Sequence, residues 1–485
     1  LPTELAASFV LPDGMELVEA REEADLRLEP GGGRPISQWT FALAAAFPEL
    51  TDEVSLAQVK QLWAAGVPVG EEGRALLVEE RTRTAFTVLW GQPSNAVRAL
   101  PAGELLDAAW RERTAWAIVP FEQLEPRWKV LAVDGQSPLR KDFDAQAYGL
   151  QITFSLDGPP ELVERVLGQT SSELVKARNR RADRLTTIIL TGTTSLVRAT
   201  AGLMEMHGMD YPARDIGSWL RQADILHISN EIAFAKNCPA PLPHSGLRFC
   251  SQERYIELME AIGTDVVDLA GDHLNDWGPE ALLNTIDLYH QRGWQTFGGG
   301  INLEEGKQPA LFVHNGNKIA LIGCNYKLPG YASANSVTPG AVHCAPAWLY
   351  PAIQKLKADG YLPVVTLQDD EYMEAIARPK LREDFHGAVE AGAALVSGTH
   401  SHQPQAFDFH KGVFIHYGLG NLFFDQINSW ETTDQAFIDR HVIYEGRHIG
   451  TEVLTTIFVD FARPRPMTVG ERRTLLKMIF QASGW

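Results

Sequence analysis

From Leu185 onward, short and nearly unbroken apolar runs alternate with longer stretches of helical period. Continuous apolar runs bounded by Gly, Asp or Asn predict buried strands, and apolar positions three and four apart predict helices. The predicted strands are LTTIIL (185–190), DILHIS (224–229), DVVDLA (265–270), LPVVTL (362–367) and ALVSG (394–398). Helical patterns lie between them: DIGSWLRQ, RYIELMEAIG, a helix opened by Gly278-Pro279 and running to about His290, AWLYPAIQKLKADG and KLREDFHGAVEAG. Proline suits a first helical position because the N–H there has no partner. ALFVH and KIALIG flank Asn315-Gly316, which predicts a tight hairpin whose central residues need positive φ. AFDFH and VFIHYG are expected to close the sheet. Strands alternating with helices predict the α/β class, a largely parallel sheet covered by helices.

Upstream, residues 1–158 mix apolar runs at Trp39–Phe47, Ala75–Val78, Ala85–Trp90 and Trp116–Val119 with helix-like stretches at Leu56–Ala64 and Glu104–Glu112. They predict a smaller α/β accessory domain. Its order of elements resembles a periplasmic solute-binding domain, in pattern more than in motif. The polar, charge-rich stretch ELVERVLGQTSSELVKARNRRADR predicts a helical linker over 159–184, which leaves 185–485 as the main domain.

Polar residues able to bind metal follow the predicted strands of the main domain again and again: Glu231, Asp272, His273, Asp369, Asp370, Glu371, His400 and His402. In an open α/β sheet the loops at the carboxyl ends of the strands form one rim, so these side chains can converge although far apart in sequence. His400-Ser401-His402 sets two imidazoles on one face if the segment is extended.

Composition narrows the possibilities. The 485 residues are 45% hydrophobic and 21% charged, as in ordinary globular proteins, with a formal net charge of −18. That charge argues against nucleic acid as a partner, because neutralising phosphates needs clustered Lys and Arg. No apolar run is long enough to span a membrane. The chain starts at Leu1, as expected where a secretory signal or lipoprotein leader has been removed, so a membrane would be met only through such a leader or lipid anchor. Four cysteines bracket two Pro/Gly-rich loops, Cys238 with Cys250 and Cys324 with Cys344. Of the three possible pairings, these two local disulfides and an oxidising, extracytoplasmic compartment are expected. Zinc thiolate binding is disfavoured, since no Cys-x-x-Cys spacing occurs.

The block Tyr417-Gly418-Leu419-Gly420-Asn421-Leu422-Phe423-Phe424-Asp425 stands with His273, Asp276-Trp277-Gly278, Glu231 and the pair His400/His402 in an order that resembles the CapA family, the poly-γ-glutamate capsule-synthesis proteins. The resemblance implies a metallophosphatase-like α/β sandwich holding a divalent metal, zinc, manganese or iron. It departs from the family pattern at Thr193 (Asp in the family), Ser229 (Asn), Gly271-Asp272 (Asn-Asn), Gln368-Asp369-Asp370 (His-Trp-Gly) and Thr399 (His). The surviving ligand candidates, Glu231, Asp272, His273, His400 and His402, suffice for one metal. The loop Asp369-Asp370-Glu371 puts carboxylates where the family has a histidine; it suits a replacement ligand or a solvated turn equally, and Asp369 and Asp370 become candidate general bases. Arg198 stands where the family has a substrate-facing arginine, and a salt bridge suits it equally. Asn421 is grouped with it as a substrate-binding candidate, although with Asp425 it also suits a structural role. Two functions follow as expectations: a metal-dependent hydrolase of a phosphoester or γ-glutamyl amide in an envelope polymer or small molecule, or a scaffold that has lost its chemistry and only binds such a ligand.

Overall fold

The computed structural model describes residues 11, 13–18, 20–67, 73–169, 178–243, 246–327, 330, 332–427 and 432–485. The chain divides into two units, Leu1–Asp183 and Arg184–Trp485.

In the first unit the long strand Arg34–Ala46 pairs with Gln151–Asp157, Trp116–Pro120 and Trp128–Val133. Leu76–Glu79 extends the sheet in parallel between Trp116–Pro120 and Val97–Leu100. Helices Leu56–Ala65 and Glu80–Trp90 bury Leu62, Trp63 and Phe86 against Trp39, Phe41 and Ile118 of the sheet. The run Ala85–Trp90 is therefore helix, not strand. The expected linker gives way as well. Helix Pro160–Gln169 buries Val163 and Val166 against Ile36 and Leu156, so it belongs to this unit's core. Residues 170–177 lie outside the described residues. Beyond them Asn179 brackets Thr40, accepting from its N–H at 2.8 Å and donating to its carbonyl at 2.7 Å. A polar, charged sequence looks like a linker here because so few of its side chains supply the contact.

The second unit is an α/β sandwich of two facing sheets with helices on both outer sides. In the first sheet, parallel strands Gln295–Phe297, Val266–Asp268, Ile225–Asn230 and Leu185–Thr191 are followed by the antiparallel hairpin Gln435–Tyr444 and Arg447–Phe458. In the second, Asn317–Asn325, Leu362–Gln368, Leu395–Gly398 and Val413–His416 run parallel between the antiparallel edges Ala310–His314 and Phe407–His410. Strands covered on both faces must be apolar throughout. Leu185–Thr191, Ile225–Asn230 and Leu362–Gln368 accordingly bury every residue. Arg198–His207, Ile256–Ile262 and Pro279–Gln291 cover one sheet, and Pro346–Ala358 and Pro379–Ala391 the other. Asn315 and Gly316 take φ of 48° and 78°, the hairpin geometry expected of them.

The hairpin Gln435–Tyr444/Arg447–Phe458 carries no clear alternation, because its first strand is buried on both sides with Asp439, Arg440 and His441 among the hidden residues. Cys238–Cys250 and Cys324–Cys344 form the two local disulfides. Among the described residues no helix is long and apolar enough to cross a membrane.

Candidate metal centre

Each ligand candidate of the second unit sits just past the carboxyl end of a parallel strand. Glu231 follows Ile225–Asn230, and Asp272 and His273 follow Val266–Asp268. Glu371 follows Leu362–Gln368, while His400 and His402 follow Leu395–Gly398. Both sheets deliver these ends to one edge, so four loops meet there. Their closeness depends on glycine: a Cβ on Gly271 would fall 2.7 Å from the Glu231 Cα, and one on Gly398 would fall 1.9 Å from the Tyr417 carbonyl oxygen.

His400 is the hub. Its Nε2 lies 3.4 Å from Glu231 Oε1 and 3.4 Å from Asp272 Oδ1. Two sets of possible ligand atoms, each within 4.8 Å of one another, share it: Glu231, His400 and His402, and Asp272, Glu371 and His400. His273 Nε2 stands 4.0 Å from Asp272 Oδ1. The sequence-derived set Glu231, Asp272, His273, His400 and His402 is thus brought together.

The hydrogen bonds prepare these imidazoles for a cation. His400 Nδ1 meets the Asp369 carbonyl at 2.7 Å, His402 Nδ1 meets Asn421 Oδ1 at 2.9 Å, and His273 Nδ1 meets Asp276 Oδ2 at 2.9 Å. Each partner is an acceptor, so each Nδ1 carries a hydrogen and Nε2 is the atom left to face a cation; metal-binding histidines are held this way. His400 Nε2 and Asp272 Oδ1 are buried and make no hydrogen bond. Buried polar atoms without partners are unfavourable, and a divalent cation would satisfy both. The residues fit a metal ion.

Without a cation the cluster holds its own protons. Burial pushes the Glu231 carboxyl up to about 7. Burial opposes ionisation of Asp272 too, but the His400 imidazolium outweighs it and holds that carboxyl below the usual range. His400 is disfavoured as a cation by burial, yet Glu231 and Asp272 raise it to about 10. Burial, reinforced by His400, drops His402 to about 3 and keeps it neutral. His402 also adopts φ 54°, uncommon for a non-glycine residue, with its ring 5.4 Å from that of Phe424. Such strain, about 1–3 kcal/mol, persists where the surroundings over-determine a functional geometry.

The other candidates are placed differently around the cluster. The carboxylate of Asp369 accepts from the Asp370 N–H at 2.7 Å, and only the Asp369 carbonyl serves the cluster, through His400. Asp370 is exposed, and both line a small pocket behind His400 while Glu371 lines the main cavity. Of these three consecutive carboxylates, Glu371 is the one that lines the main cavity. Asn421 is fully buried and positions His402 instead of facing a ligand. Arg198 lines the cavity, but its guanidinium is bidentate on Asp425 and packed between Phe249 and Phe424 at 5.0 and 5.1 Å. Sequence reasoning missed Lys327, whose Nζ lies 2.5 Å from Asp272 Oδ2 and 3.8 Å from Glu371 Oε1. Its position just past Asn317–Asn325, another parallel strand, was the available signal. The cluster opens on a cavity of about 1070 Å³ lined by Glu231, Asp272, His273, Lys327, Glu371 and His402 at one end.

Residues 187–426 match the model of the family described as bacterial capsule synthesis protein, PGA_cap. The C-terminal unit belongs to this family. The capsule biosynthesis protein CapA of Bacillus anthracis is 24% identical over 309 residues, covering 62% of this chain and 74% of that protein. The PGA biosynthesis protein CapA of Bacillus subtilis (strain 168) is 23% identical over 281 residues, covering 57% and 72%. Among solved structures, a 5'-nucleotidase precursor from Thermus thermophilus is 15% identical with a TM-score of 0.34, covering 62% of this chain and 58% of that one.

Within this PGA_cap domain the positions that depart from the family pattern bond to one another. Gln368 Nε2 donates to Ser229 Oγ at 3.3 Å, and Thr193 Oγ1 donates to the Thr399 carbonyl at 2.9 Å. Neutral hydrogen bonds thus occupy the ground beside the His400 cluster. The role of Asn421 is testable. Asn421→Ala should weaken divalent-metal affinity about 10- to 100-fold, as loss of an outer-shell partner does, because His402 loses the acceptor that fixes its tautomer. Titration calorimetry with manganese or zinc measures this.

Proposed function

We propose that the C-terminal unit is an extracytoplasmic single-metal hydrolase that cleaves a phosphoester or γ-glutamyl amide bond in the synthesis of a poly-γ-glutamate capsule or a related envelope polymer. The convergence of the His400 and His402 Nε2 atoms on the carboxylates of Glu231 and Asp272 carries this reading. Membership in a capsule-synthesis family supports the process, and the two disulfides support an oxidising compartment.

Glu231, Asp272, His400 and His402, with His273 beside them, would hold zinc, manganese or iron. Bound there, a divalent cation supplies Lewis acidity toward a phosphoryl or carbonyl oxygen. In the hydrolytic step a water oxygen bonds to phosphorus or carbonyl carbon, and the bond to the leaving oxygen or nitrogen breaks. Glu371, exposed at the cavity, receives the water proton. His273 returns a proton to the leaving atom: burial disfavours its cation, but Asp276 and Asp272 together raise its pKa. Lys327 presents a fixed positive charge to developing negative charge. The substituted positions Thr193, Ser229, Gln368 and Thr399 argue for one metal in place of two, since they leave the His400 cluster whole.

Elemental analysis of protein prepared without chelator is expected to find close to one equivalent of zinc, manganese or iron. Turnover of bis(p-nitrophenyl) phosphate or a γ-glutamyl anilide should disappear on chelation and return with metal. Protein that binds no metal and turns over neither compound would reduce the unit to a binding scaffold and end this proposal.

A further inference from the structure

We infer that the substrate is amphipathic, with its cleavable polar link at the His400 cluster and an apolar tail along the adjoining cavity wall. This rests on the hydrolase reading for the position of the link, but not for the tail. The cavity, at about 1070 Å³, exceeds what a small head group needs. Its apolar wall starts at Phe249 and Phe424, whose rings lie 4.9 and 5.4 Å from those of His273 and His402, and continues through Leu203, Met206, Leu247 and Phe461. Three of these are large apolar side chains left in solvent: Met206 is 69% exposed, Leu247 79% and Phe461 43%. Single exposed apolar residues are ordinary, but these share one continuous cavity with the ligand cluster.

Charge points the same way. The cavity has two permanent cations among the described residues, and both are engaged, Lys327 by Asp272 and Arg198 by Asp425. Glu231 and Glu371 add further carboxylates. A polyanionic chain laid along this wall would meet hydrocarbon and like charge, an arrangement that discriminates against it and favours the phosphoester of the two proposed links. An uncharged tail would instead remove apolar surface from water on both partners.

The test titrates the full chain with monoalkyl phosphates from methyl to octyl, with and without added manganese, by calorimetry. Affinity is expected to rise about two- to fourfold per methylene until the wall is covered. Leu247→Ser and Met206→Ser, both at solvent-exposed positions, should flatten that rise and leave methyl phosphate binding unchanged. A flat series, a rise untouched by both substitutions, or tighter binding of γ-glutamyl oligomers than of octyl phosphate would overturn the inference. Metal content, measured separately, distinguishes the two readings. Chain-length dependence in protein that binds no metal upholds the tail site and sinks the hydrolase. Metal binding and turnover with a flat series do the reverse.

Discussion

Replacing His400 with Ala is expected to weaken divalent-metal affinity at least about 100-fold, beyond the usual loss from an outer-shell residue, and to abolish hydrolysis. The reason is geometric. His400 Nε2 belongs to both sets of convergent ligand atoms, whereas every other candidate belongs to one set at most. Its loss also strands Glu231 and Asp272, which rely on the imidazole 3.4 Å away from each for their compensating charge. Chelator competition gives the affinity, and a thermal melt of the metal-free protein separates ligand loss from unfolding. Asp369→Asn is the matched control. Its carboxylate serves its own loop while its carbonyl holds His400, so the substitution should leave metal affinity within about threefold of the starting protein, the ordinary range of an exposed-loop change. Equal losses in both variants would show that the loop, and not the imidazole, is what matters.

Mild acid, above the pH at which ordinary carboxylates are protonated, is expected to destabilise the C-terminal unit. His416, His441 and His448 are buried between the facing sheets around the Phe414 ring, at 6.4, 5.5 and 6.2 Å from it. Burial pushes His448 down to about 4, and burial together with His448 and His416 lowers His441 in the same direction. The charged and polar neighbours are few: Asp439 pairs with His416 at 2.6 Å, and Thr451 bonds both His441 and His448. The unfolded chain therefore takes up protons near pH 6.5 that the folded chain refuses until about pH 4. The neutral form's contribution is complete above pH 6.5 and is lost as pH falls through that window. For His448 alone the loss is about 3 kcal/mol by pH 4, of which about 2 kcal/mol is gone by pH 5. Urea denaturation at pH 7 and pH 5 measures it, and His448→Gln should shrink the difference by about 2 kcal/mol and leave the part that His441 contributes. A stability independent of pH between 7 and 5 would contradict the burial argument.

The sequence made much of this protein legible. Short β-branched apolar runs such as Leu362–Gln368 favour strands covered on both faces, and Asn315-Gly316 favours a tight turn, so the alternating α/β order and one hairpin follow from local chemistry. The ligand candidates were visible because each directly follows such a run. The hairpin Gln435–Tyr444/Arg447–Phe458 was not visible, since burial of Asp439 and His441 breaks the apolar pattern that marks a strand. The helix Pro160–Gln169 looked like a linker for the opposite reason, having few apolar residues to betray its packing.

Which polar side chain faces the site was settled by the fold. Asp369, Asp370 and Glu371 are chemically alike and adjacent, and the turn of one loop alone sends Glu371 to the cavity and Asp369 back onto its own backbone. Asn421 became a clamp on His402, and Lys327 the partner of Asp272, through contacts between residues 19 and 55 positions apart. A strand fixes the alternation of its own side chains by local sterics, so the sequence carries that information. The distance between two loops depends on how whole sheets twist and pack, and only the folded chain contains it.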